Sequence, residues 1–412
     1  MRTRSFRELW IGTSLGAFGQ QVATVAVLQQ TWELTGSPVW TGAIGIATAV
    51  PMILFGLLGG SLADRVDRRT LVRASTALQG AGAGALVAQA ALGNGSVLLL
   101  LALVAVQTAG AALGAPARRT LPVRLLPADQ VAAGIALSIV SFQAAMLVGP
   151  AVAGAVLATR GFPAAYGLQA LTIVVSLVAV LRLPPVPPAR PDGASGRSPG
   201  GWRFVLRRPT LRASFAVDLA ACALAMPVAL FPLVNELRFG GDPRTLGLFL
   251  SSIAVGGLLA GAFSGAVTRV RRSGAVQLAA AGVWGLALAG FGLAGPVWVA
   301  LGCLVLAGAA DSISVFTRGA LVQLETPDEY RGRVSSVEHV IGVAAPELGN
   351  VRGGVVASLT SAPVALVTGG LAATAVTVLI AAIDRPLRHY VTPGTAPRRT
   401  GPATPSRRSH RS

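Results

Sequence analysis

The sequence predicts an all-α polytopic membrane protein with twelve transmembrane helices, built as two six-helix halves around a central cavity. Three observations predict it. Of the 412 residues, 53% are hydrophobic and 12% are charged, whereas a soluble chain carries about a quarter charged residues. The apolar residues fall in blocks of about twenty, the length that spans the ~30 Å hydrocarbon core as a helix. The basic residues, all 34 of them arginines, gather in alternate connections, as the positive-inside rule requires.

Taken in order, the blocks place helices at residues 9–32, 39–62, 71–92, 97–115, 131–158, 163–181, 211–234, 245–267, 275–294, 297–316, 335–359 and 363–383. No alternating strand pattern competes with them. The first block follows Met1-Arg-Thr-Arg but is too long for a signal peptide and lacks its cleavage site, so it reads as a retained spanning helix. The 50 glycines suit close approach of membrane helices. Five of the six tryptophans, Trp10, Trp32, Trp40, Trp202 and Trp298, fall near helix ends as an aromatic belt would place them.

With both termini cytoplasmic, 30 of the arginines lie on the inner side. Arg160, Arg238, Arg244 and Arg352 are left outside. That asymmetry predicts a multi-pass membrane protein with both termini inside and argues against a nucleic-acid partner as the reason for the net charge of +18. The arginine-only basic content and Ala/Gly richness suggest a bacterial gene and hence a cytoplasmic (inner) membrane. The halves are residues 1–181 and 211–384. A Pro/Gly/Ser-rich cytoplasmic linker, 182–210, joins them, and a basic tail expected to be disordered, 385–412, follows.

The halves repeat. Arg118 and Pro127 recur as Arg318 and Pro327, 200 residues on. Gly60 and its arginine-rich loop recur at Gly265, offset by 205, and Gly149-Pro150 recurs as Ala345-Pro346, offset by 196. Parallel repeats imply a cavity between them and alternating access.

These residues resemble the major facilitator superfamily. GGSLADRVDRRTLV, between the second and third helices, resembles its signature loop G-x-x-x-D-R-x-G-R-R. Gly60, Asp64, Arg65, Arg68 and Arg69 match, with Asp67 where glycine is usual. Within the superfamily, that loop together with VQLETPDEYRGRVSSV and ELGNVRGGVVASLTS is most similar to the enterobactin-exporter branch, which macrolide-efflux proteins share. The resemblance implies a secondary active transporter of the major facilitator fold. It also implies a cytoplasmic latch formed by Gly60, Asp64, Arg65, Arg68, Arg69, Arg118 and Arg318, holding one of two conformations.

Acids inside apolar blocks are costly and therefore paired or functional. Glu347, directly after Pro346 and sharing a face with Asn350, is the leading proton-coupling candidate, with Asp218 and Asp311 behind it. The alternative for Glu347 is a structural acid neutralised by an arginine such as Arg352. Glu338 reads as interfacial or part of a cap. Gln20, Gln21, Thr24, Gln107, Asn350 and Arg352 are the substrate-binding candidates, Arg352 for an anionic cargo, with helix-to-helix pairing the equal alternative for the amides of helices one and four. Amides on helix one, where exporters of cationic drugs carry an acid, argue against a cationic drug. Pro227 and Pro232 mark helix seven as a candidate for bending.

The expected function is proton-coupled export of a siderophore or related secondary metabolite. Multidrug or macrolide efflux is the alternative, and a non-transporting membrane sensor or scaffold the second. Neither a nucleophile–base pairing nor a metal-ligand spacing is present, so an enzyme is not expected, and no nucleotide loop suggests ATP as the energy source. The expected partners are the lipid bilayer, a small-molecule substrate and protons, with no cofactor beyond the proton gradient, no nucleic acid, and the chain acting as a monomer.

Overall fold

The computed structural model describes residues 4–63, 65–184, 200–263, 265 and 272–391. Asp64 and Arg269, the central part of the linker and the tail beyond residue 391 lie outside the described residues. Every regular element described is helical. They are α1 (Arg4–Thr35), α2 (Pro38–Ala63), α3 (Arg68–Ala91), α4 (Val97–Leu125), α5 (Val131–Leu181), α6 (Gly201–Arg207), α7 (Pro209–Ala225), α8 (Phe231–Phe239), α9 (Pro243–Ala262), α10 (Ser273–Leu293), α11 (Val297–Glu325), α12 (Asp328–Leu359), α13 (Ala362–Ile383) and α14 (Arg385–Arg388). Among the described residues, nine helical spans are long and apolar enough to cross a membrane.

The breaks follow from local chemistry. α5 is two helices joined at Gly161, whose φ of 73° and ψ of −173° are non-helical. That φ favours glycine, which has no Cβ to clash. Asp67 caps α3 by accepting from the backbone N–H groups of Arg69 (2.8 Å) and Thr70 (3.3 Å). An aspartate at the signature loop's glycine position therefore starts a helix. The predicted seventh helix is split. The residue before Pro227, Met226, is extended at ψ 122°, and a short 3-10 turn at Val228–Leu230 leads into α8. Proline disfavours helical backbone at its predecessor, which favours the break here.

Several expected boundaries are corrected, three of them by seven residues or more. α4 runs to Leu125 rather than 115, α11 to Glu325 rather than 316, and α12 starts at Asp328 rather than 335. Hydropathy marks only the apolar stretch, whereas the backbone hydrogen-bond ladder continues through polar residues of good helix propensity. Both long helices stop at the same signal: Leu126 before Pro127 and Thr326 before Pro327 are extended. Arg118 and Arg318 consequently sit on helices, not in loops. Glu338 likewise lies in the third turn of α12, not the first.

α1 packs along α5, α2 along α4, and α3 against both α4 and α5. Among the later helices, α10 packs on α11 and α13, α9 on α11, and α7 on α12 and α13. The two sets meet where α2 lies on α12 and α5 on α9. These crossings are close because glycines face backbone. A Cβ on Gly42 would stand 2.8 Å from the Asn350 carbonyl oxygen. The exterior carries Leu57, Val140, Leu171, Leu286 and Val378 exposed, a surface suited to lipid.

The tryptophans divide. Trp202 and Trp298 are exposed at helix ends, but Trp32 is buried and donates its indole N–H to the Glu236 carboxylate. Trp10 donates to the Ser141 hydroxyl at 2.9 Å.

Candidate functional site

Where α1, α2, α4 and α12 face one another, they enclose a cavity of about 210 Å³. Gln20 and Thr24 of α1, Thr48 of α2, Gln107 of α4, and Glu347 and Asn350 of α12 line it. Val27, Leu28, Ile44 and Val104 supply apolar wall between them. Residues separated by more than three hundred positions in the chain thus converge on one space. A second cavity, about 450 Å³, shares Gln20, Thr48, Gln107 and Thr108 and extends to Thr76, Gln79, Arg118 and Ser176. The shared walls make the two contiguous, a chamber and an adjoining vestibule.

Glu347 is the sole ionisable residue lining the chamber, among the described residues. Its carboxylate accepts from the Asn350 side-chain amide at 3.0 Å. The two are neighbours because α12 is continuous through Pro346 and positions three apart share a helix face. α2 crosses here at Gly45. A Cβ at Gly45 would stand 2.8 Å from Glu347 Oε2 and 3.0 Å from its carbonyl oxygen, so only glycine lets α2 cover the acid this closely.

Asn350 also reaches the break in the seventh spanning segment. Its Oδ1 accepts from the backbone N–H of Ala229 at 3.1 Å, and Thr41 of α2 donates to the Ala229 carbonyl at 2.7 Å. Pro227 leaves this turn without regular helical partners, and the two side chains supply them. One residue, Asn350, therefore links the chamber's acid to the broken segment.

Five of the sequence's site candidates meet in this chamber: Gln20, Thr24, Gln107, Glu347 and Asn350. Others lie elsewhere. Gln21 packs against Gly149 of α5. Arg352 donates to the backbone carbonyls of Leu224 (2.5 Å) and Ala365 (3.5 Å), tying α12 to α7 and α13. It neither neutralises Glu347 nor faces the chamber.

Asp218 and Asp311 form a separate group. Asp218 is 7% exposed and makes a close ion pair with Arg318, itself 6% exposed. Glu338 lies 3.7 Å from the same guanidinium. Asp311 stands near enough to Asp218 and Arg318 to feel both charges. The long continuation of α11 places Arg318 between α7 and α12, which sequence reasoning missed by ending that helix early. Thr41 and Thr48 were missed too. A lone hydroxyl in a spanning segment usually bonds its own helix, so neither carries a sequence signal.

In the signature loop, Arg65 is exposed, Arg68 is turned inward and buried, and Arg69 contributes its backbone N–H to the Asp67 cap. Gly60 has open space around it, and Asp64 lies outside the described residues. Arg118 lines the vestibule and donates to the Ser75 hydroxyl at 2.8 Å.

Comparisons with known proteins agree with this architecture. The family model described as a transmembrane secretion effector matches residues 1–398. The chain is similar to the enterobactin exporter EntS of Escherichia coli (strain K12), at 26% identity over 94% of this chain and 93% of that one. It is also similar to EntS of Citrobacter koseri, at 27% identity over 89% and 88%. Among solved structures it resembles a bacterial homologue of the iron transporter ferroportin in its inward-facing state. That likeness has a TM-score of 0.68 and 20% identity, covering 92% of this chain and 97% of the other. The chain belongs to the transmembrane secretion effector family of the major facilitator superfamily, and is a multi-pass membrane transporter, not an enzyme.

Proposed function

We propose that this chain exports a siderophore or related small secondary metabolite across a bacterial cytoplasmic membrane, driven by the proton gradient and acting as a monomer. In this reading the spanning segments number twelve, counting α5 as two and α7 with α8 as one. They form two six-helix halves, 1–181 and 211–384, that rock about the chamber, with the linker 182–210 and tail 385–412 cytoplasmic. The arginine asymmetry supports both termini inside.

One observation carries the reading: a solitary carboxylate, Glu347, in a chamber where amides and hydroxyls from both halves converge. Its Asn350 partner bonds the broken segment at Ala229. A proton on Glu347 changes what Asn350 bonds, and Asn350 in turn holds a segment at the interface of the halves. That link supports alternating access coupled to protonation. The named activity of the EntS relatives supports the cargo class. The contacts Trp32 to Glu236, Thr41 to Ala229, and Ser251 to the Leu147 carbonyl (2.7 Å) join the halves away from the arginine-rich ends. The vestibule leads towards Arg118 on the opposite side, which supports an arrangement open to the cytoplasm. The apolar wall of the chamber supports a second reading, efflux of macrolides or other drugs.

The test is deletion of the gene, followed by comparison of small molecules in cells and medium with and without iron. Retention of an iron chelator inside the cells under iron limitation is expected. Unchanged secretion with raised antibiotic sensitivity would replace the siderophore reading with drug efflux. In proteoliposomes, Glu347→Gln is expected to abolish transport driven by a pH gradient, and undiminished transport would remove Glu347 from the coupling.

A further inference from the structure

The two halves treat their matching arginines differently. Arg318 is enclosed and compensated by Asp218 and Glu338. Arg118, 200 residues earlier and at the same distance from its helix end, is only half-buried and lines the vestibule. Its recorded partner is a neutral hydroxyl: Nη2 donates to Ser75 Oγ at 2.8 Å, while Ser75 donates onward to the Val72 carbonyl at 3.0 Å. Among the described residues no carboxylate pairs with Arg118. It is also the only charged residue described in the vestibule wall. A guanidinium carries five donors and stays charged, so a single neutral side-chain partner leaves most of its hydrogen-bonding capacity and all of its charge unmatched by the described residues.

From this asymmetry we infer that Arg118 is the anchoring cation for an anionic group on the substrate, a carboxylate or comparable oxyanion, bound in the vestibule before the molecule enters the chamber. Thr76, Gln79 and Ser176 stand in the same wall and present neutral hydrogen-bonding groups to the rest of an oxygen-rich molecule. Glu347 lines only the chamber and Arg118 only the vestibule, so the anion and the proton-carrying acid occupy different ends of one path. The charge role expected of Arg352 thereby passes to Arg118, because Arg352 is spent on backbone carbonyls. This assignment deepens the exporter reading and rests on it for the direction of movement, but the site is a property of the protein at rest.

The test uses the purified full-length chain in nanodiscs, without a gradient. First, Ala111→Cys is placed in a background in which Cys222 and Cys303 are alanine. Ala111 lines the vestibule two turns before Arg118 on the same helix face. An anionic methanethiosulfonate is expected to react about fivefold faster, relative to a cationic one, than in the same protein carrying Arg118→Gln. Second, salicylate and its neutral amide serve as probes. Arg118→Gln is expected to weaken salicylate binding about tenfold with the amide unchanged, and Arg118→Lys to restore part of it. No labelling at position 111, an unchanged reagent ratio, no salicylate binding by the parent chain, or equal loss of both probes would each overturn the assignment. Neither assay involves secretion. A failure here leaves the exporter reading intact, and a failed secretion experiment leaves the anion site intact.

Discussion

Glu347 and Asn350 illustrate how few bonds define the site. Asn350 serves two partners, Glu347 at 3.0 Å and the Ala229 N–H at 3.1 Å. Asn350→Ala should destabilise the protein by about 2 kcal/mol, because a buried N–H and a carboxylate each lose a partner. Thermal unfolding in detergent would report it, with gradient-driven transport falling alongside. The Asp218–Arg318 pair makes a different prediction. Asp218→Asn removes the close partner of the enclosed Arg318, leaving only the more distant Glu338 and Asp311, and should cost about 3 kcal/mol, whereas adding Arg318→Gln should recover most of that loss. Recovery of transport as well as of stability in the double variant would identify the pair as structural. Stability without transport would give it a part in the mechanism.

Gly161 and Pro227 set the shape of their elements. Gly161 holds a φ of 73° where α5 breaks into two helices. Gly161→Ala should cost about 1–2 kcal/mol, read as a lowered unfolding temperature, since a Cβ disfavours that backbone. At Pro227 the helix breaks into the turn that Asn350 and Thr41 hold. Pro227→Ala restores a donor and permits a continuous helix. Spin labels on α7 and α8 should then report a narrower distance distribution, with slower turnover at unchanged binding. An unaltered distribution would make the break a product of packing rather than of proline.

For the molecule as a whole, the proposed alternating access makes the balance between its two states rest on the contacts that join the proposed halves. Trp32 of α1 bonding Glu236 of α8 is one of them. A hydrogen bond to a charged group contributes about 1.5–3 kcal/mol, so Trp32→Phe should shift the equilibrium by about tenfold to a hundredfold. Val228, which lines the chamber, provides the readout. In a cysteine-free background, Val228→Cys should react faster with an impermeant thiol reagent from the Trp32 side once Trp32 is Phe. An unchanged rate would assign the closure to the glycine-mediated crossings instead.

The sequence by itself determined the class of the molecule, because lipid leaves a chain few options. Apolar blocks long enough to span are helices here, since no water is present to satisfy an open backbone, and the charged residues are left to the connections between them. Glu347 and Asn350 were legible for a related reason: an acid inside such a block is too costly to be incidental. The path on which they meet Gln20, Thr24 and Gln107 was decided by tertiary structure alone, because it depends on glycines such as Gly42 and Gly45 letting α2 lie against α12. The fates of the arginines were decided there too. One residue type in one kind of segment became a tie between backbones at Arg352, half of an ion pair at Arg318, and a half-buried cation in the vestibule wall at Arg118. A spacing in sequence fixes which face of a helix an arginine occupies, but what stands opposite that face belongs to another helix.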